Sequence, residues 1–305
     1  MQCTITGANG FIGSALTTSL VQRGHTVAGW GRRSGFDLTA AAPAADLSWI
    51  EQLRGSDAVI HLAAHVHAGA ADSDLESERH RQINHQGTLR LATAALTAGV
   101  RHFVFLSTAK VFGEGENGPY GPQSPARPQG AYAQSKWQAE QDLQQLTAGT
   151  SMALTIIRPP LVYGPGVSAN FARLAQLASL PIPLPLATID NRRDMIGIDN
   201  LADLIATCLE QPAAFGKTFL CSDGQPYSLG EVVANIRAAH GKSSHLFALP
   251  ANWINALAAA ALGRAAAQRL FGNFELDIAA TCAALEWRPR WTMTAILQSG
   301  GRHPS

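Results

Sequence analysis

The 305-residue sequence predicts an α/β protein, a doubly wound parallel sheet with a smaller C-terminal lobe. Three observations predict it. Short apolar runs alternate with helix-period stretches through the first half. The first run ends in a glycine-rich turn that opens a helix. After Pro159 the composition becomes rich in proline and glycine, including PIPLPL at 181–186. Strands that are apolar throughout belong to a sheet covered on both faces, and ligands then bind outside the carboxyl ends of its strands.

The elements follow in order. Gln2 to Thr6, His25 to Trp30, Ala58 to Ala63, Phe103 to Ser107 and Leu154 to Arg158 are expected as strands, with helices over 13–24, 78–99 and 132–148. A further strand, helix and strand at 195–198, 200–210 and 217–222 are expected to return the chain to the sheet. Helices near 229–240 and 251–270 follow. The division this implies is a nucleotide-binding domain of 1–165 and 194–222, and a substrate lobe of 166–193 and 223–305.

Bulk properties exclude several classes. Hydrophobic content of 46% with 15% charged residues describes a compact chain with ample core. A net charge of +1 makes no electrostatic case for nucleic acid or an anionic membrane as partner. Cys3, Cys208, Cys221 and Cys282 have no metal spacing and read as buried thiols of a reducing compartment. The stretch 253–270 contains Arg264 and Arg269 and is too polar to span a bilayer. The expected location is the cytoplasm.

The turn TITGANGFIG has the context of a dinucleotide loop in a Rossmann-type fold. Gly7 permits the tight turn, Gly10 lets backbone approach a pyrophosphate, and Gly13 lets helix pack on strand. Asn9, Phe11 and Ile12 complete the cradle, where free N–H groups and the positive helix end meet phosphate. A carboxylate closing the second strand would bind the ribose hydroxyls of NAD. Gly31 stands there instead, followed by Arg32 and Arg33, which can fork onto a 2′-phosphate. NADP(H) is therefore favoured, with NAD(H) the alternative.

Tyr132 and Lys136 are four residues apart on a helical pattern and share one face. An ammonium and an oxidised nicotinamide would both favour the phenolate. Moving a phenol from about 10 to about 7 requires only about 4 kcal/mol. Thr108, at the end of a strand, can hold a substrate oxygen while Tyr132 passes the proton. His61, His65 and His67 cluster in sequence, but no carboxylate or cysteine completes a site there, and no metal is expected.

These motifs together resemble an extended short-chain dehydrogenase/reductase of the NAD-dependent epimerase/dehydratase family. TGANGFIG at 6–13, HLAA at 61–64, STAKVFG at 107–113 and YAQSK at 132–136 carry the resemblance, with Phe112 where the family has tyrosine. It implies that Thr108, Tyr132 and Lys136 are catalytic. It implies that Leu62, Ala63 and Ala64 form a wall beside the cofactor, which Ser107, Asn84 and Pro159 also border. Asp46 and Leu47 would lie by the adenine.

RPPLVYGPGVSANF at 158–171 and NRRDMIGIDNLADL at 191–204 resemble the branch acting on UDP-linked sugars in surface polysaccharide synthesis. Asn170, Arg193 and Arg269 would then contact the nucleotide diphosphate, and Lys110 the sugar. The expected reaction is reduction of a UDP-4-keto-hexose, N-acetylated 6-deoxy sugars included. The alternatives are a UDP-hexose 4-epimerase with tightly held NAD and, more remotely, a non-catalytic dinucleotide sensor. A 4,6-dehydratase would want an acid and a base after Thr108, where Ala109 and Lys110 stand. The resemblance also implies homodimerisation through the helices of 78–99 and 132–148.

Overall fold

The computed structural model describes residues 1–40, 43–66, 73–115, 118–167, 170–263, 267 and 270–299. Its centre is a six-stranded parallel sheet ordered β2-β1-β3-β4-β5-β8. These strands are β1 (Gln2–Thr6), β2 (Thr26–Trp30), β3 (Ala58–His61), β4 (His102–Leu106), β5 (Ala153–Arg158) and β8 (Lys217–Leu220). Alternate side chains point to opposite faces, as the pleat requires. Ile5, Ile60, Val104 and Leu106 meet α1 (Phe11–Gln22) and α7 (Ile198–Glu210) in one core. Val59, Phe103, Phe105 and Ile156 meet α2 (Ala44–Leu53), α4 (Thr88–Thr97) and α5 (Gly130–Thr147) in the other.

The helix expected over 78–99 begins earlier and runs on as α3 (Asp74–His80), a π-type stretch (Arg81–Gly87) and α4. A Cβ on Gly87 would sit 2.9 Å from the Cβ of Leu38, so the helix meets that loop at a glycine. Met195–Gly197 (β7) differs more from expectation. It pairs not with the main sheet but with β6 (Leu161–Tyr163), in a separate two-stranded parallel sheet.

A third core surrounds that small sheet. Tyr163, Phe171, Met195, Ile198 and Ile254 pack with Val232, Val233 and Ile236, drawing in α6 (Asn170–Ser179), α8 (Leu229–Ala239), α9 (Ala251–Leu262) and Ile296 of α11 (Met293–Ser299). Phe11 and Ile12 pack against this core from the opening of α1, so it abuts the glycine turn. α10 (Ala279–Leu285) lies against the α7 side of the main sheet through Leu285. No helix among the described residues is long and apolar enough to cross a membrane.

Candidate active site

The glycine turn closes over the carboxyl end of β1. Gly7 is left-handed at φ 74°, and its N–H donates to Trp30 O at 2.8 Å. A Cβ on Gly7 would lie 2.9 Å from Ala63 N, and one on Gly13 only 2.2 Å from Gly7 O. Neither position tolerates a side chain. α1 opens at Phe11 with no side-chain cap and no acid in its first turn, leaving N–H donors and the positive dipole end for an anion. Gly10 and Asn9 are exposed there, with Leu62, Ala63 and Ala64 half-buried beside them. The donor set and the space that bare glycines leave fit a dinucleotide pyrophosphate.

At the end of β2, Gly31 faces Asn9, and Arg32 stands exposed in a 3-10 turn. The side chain of Arg33 lies outside the described residues. An acid does stand nearby: hydrogen bonds from the Thr39 backbone and hydroxyl, with the charge of Arg32, hold Asp37 below the usual carboxylate range. It lies in the loop beyond the strand end, past the 3-10 turn that Arg32 opens.

Thr108 follows β4 in extended conformation. Its Oγ1 accepts from Lys110 N at 3.2 Å, opening a short turn over Ala109–Phe112, and its side chain lies near the Tyr132 hydroxyl. Ala109 N donates to Pro159 O at 2.8 Å, tying β4 to the end of β5. Tyr132 sits in the first turn of α5, and Lys136 one turn further on. Lys136 is buried, donates from Nζ to Leu106 O at 2.9 Å, and lies 4.5 Å from the centre of the Phe105 ring.

The electrostatics correct one expectation. Burial pushes the Lys136 ammonium down to about 7, with Glu140 pulling it back up. Burial likewise pushes Tyr132 up to about 12, against the lowering influence of Thr108. The lysine turns to a carbonyl and a ring, so the protein alone does not acidify the phenol. That step waits for a second positive charge beside the hydroxyl.

Beneath this pair lies a cluster that sequence reading missed. The Ser107 hydroxyl donates to Glu140, which is fully buried and takes Arg158 Nη2 at 2.5 Å and Nε at 3.1 Å. The guanidinium lies 5.1 Å from the centre of the Phe112 ring and 5.4 Å from that of Trp137. The Ser107 hydroxyl therefore faces inward, as a support for Thr108. Glu140 follows Lys136 by four residues on α5, a spacing visible in the sequence.

Asn84 is similarly occupied. It accepts from His65 N at 2.7 Å and donates to His65 O at 2.9 Å and Ser135 Oγ at 3.2 Å, with His80 Nδ1 3.1 Å from the same amide nitrogen. It clamps the loop after β3 to α5. A carboxylate does join the histidines: Glu76 lies 2.8 Å from His65 Nε2, and ligand atoms of His65, Glu76 and His80 fall within 4.8 Å of one another. That arrangement suits a hydrogen-bonded cluster. His61 belongs elsewhere, buried between Thr6 Oγ1 at 2.6 Å and Thr88 Oγ1 at 2.9 Å, and His67 lies outside the described residues.

Asp46 and Leu47 do not join the strand ends. Asp46 pairs with Arg90 Nη2 at 2.7 Å, and Leu47 is exposed on α2. The loop residues Asp37 and Leu38 come nearer the β2 end. Of the candidates for substrate, Lys110 is exposed on the turn after Thr108. Arg193 is half-buried, donating from Nη1 to Gly272 O at 2.8 Å. Gly115 packs on Asn273, and the charge of Glu114 reaches Arg193, so this arginine faces the loop that Thr108 begins. The Asn170 side chain and Arg269 lie outside the described residues.

A glycine turn at β1, a threonine after β4 and a tyrosine and lysine on α5 together define an NAD(P)-dependent oxidoreductase or epimerase of the extended short-chain dehydrogenase/reductase type. Residues 3–225 match the NAD dependent epimerase/dehydratase family, and the chain belongs to that family. It is 35% identical to a UDP-glucose 4-epimerase of Vibrio cholerae over 95% of this chain and 91% of that one. It is 26% identical to the N-acetyl-alpha-D-glucosaminyl-diphospho-ditrans,octacis-undecaprenol 4-epimerase of Escherichia coli O157:H7, over 80% and 74%. The fold also matches MoeE5 in complex with UDP-glucose and NAD, with a TM-score of 0.76, 23% identity, and 99% and 97% of the two chains covered.

Proposed function

We propose that the protein inverts C4 of a hexose whose anomeric carbon carries a diphosphate, using tightly held NAD. The carrying observation is that Thr108, at a strand end beside the glycine turn, lies close enough to Tyr132 to influence its phenol, with Lys136 buried one turn behind. The relatives support the C4 position. They act, by name, on UDP-glucose and on a lipid-diphosphate sugar, whose shared chemistry is the diphosphate.

The nicotinamide, when bound, supplies the hydride acceptor and donor together with a positive charge. Thr108 Oγ1 holds the C4 oxygen, and Tyr132 Oη takes the hydroxyl proton and later returns it. Lys136 keeps the base in an electropositive setting, its own charge upheld by Glu140. Arg193 faces the turn and anchors the diphosphate. The sugar must present both faces to one ring, so the anchor lies on the diphosphate and not on the hexose.

A second reading, reduction of a UDP-4-keto-hexose by NADPH, is favoured by exposed Arg32 at the β2 end. One experiment separates the two. The purified protein is denatured and its released nucleotide identified, and UDP-glucose is incubated with untreated protein without added cofactor. Stoichiometric NAD with formation of the C4 epimer supports the first reading. Cofactor-free protein that consumes NADPH with a 4-keto sugar, and loses NADPH affinity in Arg32→Ala, establishes the second.

A further inference from the structure

Charge is unevenly spread along this chain. Residues 164–189 and 232–274 contain no aspartate or glutamate but hold Arg173, Arg237, Lys242, Arg264 and Arg269. A near-neutral total of 23 basic against 22 acidic residues hides a region of one sign. Arg237 is buried, donating to the carbonyls of Ala178, Leu180, Ile182 and Ser244. It clasps the loop after α6 to the segment before α9. Arg173 and Lys242 are exposed.

The same region exposes large apolar side chains. Leu177, Leu180 and Ile182 are 39%, 45% and 49% exposed, and Phe247 42%. Phe247 N donates to Leu184 O at 3.0 Å, so the two stretches adjoin. Trp253 and Leu257, 62% and 66% exposed, stand one turn apart on α9, while Ile254 between them turns into the core. Exposed tryptophan, leucine, isoleucine and phenylalanine, on stretches whose own charged side chains are basic and with Asp190 and Glu231 just beyond their ends, match the water–lipid boundary of an anionic bilayer. A second copy of this face would bring like charges together without a counter-charge.

We infer that this lobe docks on an anionic membrane surface, with Trp253 and Leu257 entering the interface and Arg173 and Lys242 facing the headgroups. The region lies on the bilayer without crossing it. The inference stands apart from the sugar and cofactor assignments.

The test is co-sedimentation of the full chain with vesicles of phosphatidylcholine alone or mixed with phosphatidylglycerol, at low and high salt. Binding to the mixed vesicles only, weakened by salt, is expected. Trp253→Ser with Leu257→Ser should weaken it at least tenfold, and Lys242→Glu about fivefold or more. The variants should keep the parent's thermal melt and its turnover of soluble UDP-glucose. Failure to bind the mixed vesicles, or equal binding by the double variant, overturns the inference. So does a dimer that only the double variant dissociates, which would make a second copy the occupant.

Discussion

Glu140 is a fully buried carboxylate and Asp223 a half-buried one, and the partners around them differ in charge. Glu140 has a guanidinium against it, Arg158 at 2.5 Å, and a hydroxyl from Ser107. Asp223 has only neutral donors: Tyr163 Oη at 2.5 Å, Gly197 N at 2.9 Å and Asn200 Nδ2 at 2.8 Å. Burial consequently pushes Asp223 up to about 6. The ion pair lies under the strand end that carries Thr108, while the neutral network sits where β7 runs into α7. A matched cation holds a reacting group in place across a wide pH range. A carboxylate without one makes its neighbourhood sensitive to mild acid and base.

The largest effect should come from breaking the matched pair. Arg158→Met keeps a flexible side chain between Phe112 and Trp137 but leaves Glu140 buried without its cation. A loss of about 3–5 kcal/mol in urea unfolding is expected. A loss under about 1 kcal/mol would mean that water or Ser107 satisfies Glu140 alone.

Asp223→Asn should act less strongly, and with a pH signature. The folded-state value of Asp223 lies above its usual 3.8, so its stabilising contribution is complete below about 4 and fades as pH rises through about 6. The asparagine does not titrate and turns an amide donor toward other donors. Thermal melts should therefore show the variant less stable than the parent at pH 4, with the gap narrowing by about 1–2 kcal/mol by pH 7. A constant gap would show that Asp223 does not titrate in this window.

The same contrast explains what could be read from the sequence. Contacts that repeat locally were legible: three glycines between strand and helix, and a tyrosine four residues before a lysine, carry their geometry in their spacing. Arg158 and Glu140 are 18 residues apart, on β5 and α5, and meet only because parallel strands return the chain to one end of the sheet. Glu76 reaches His65 across a loop, so its carboxylate was not foreseen. Asp46 and Leu47 rest on the resemblance alone, and only the fold shows Asp46 held by Arg90 on a helix. The strand at Met195–Gly197 looked like the main sheet's because apolar runs do not name their partners.

The central claim is that Tyr132 handles the proton at the sugar's C4 oxygen, and Tyr132→Phe tests it most directly. Measured alongside retained nucleotide and the thermal melt, the variant should lose about 10²- to 10⁴-fold in turnover. It should hold as much NAD as the parent and melt within a few degrees of it. Turnover within threefold of the parent, with cofactor still bound, would contradict the account.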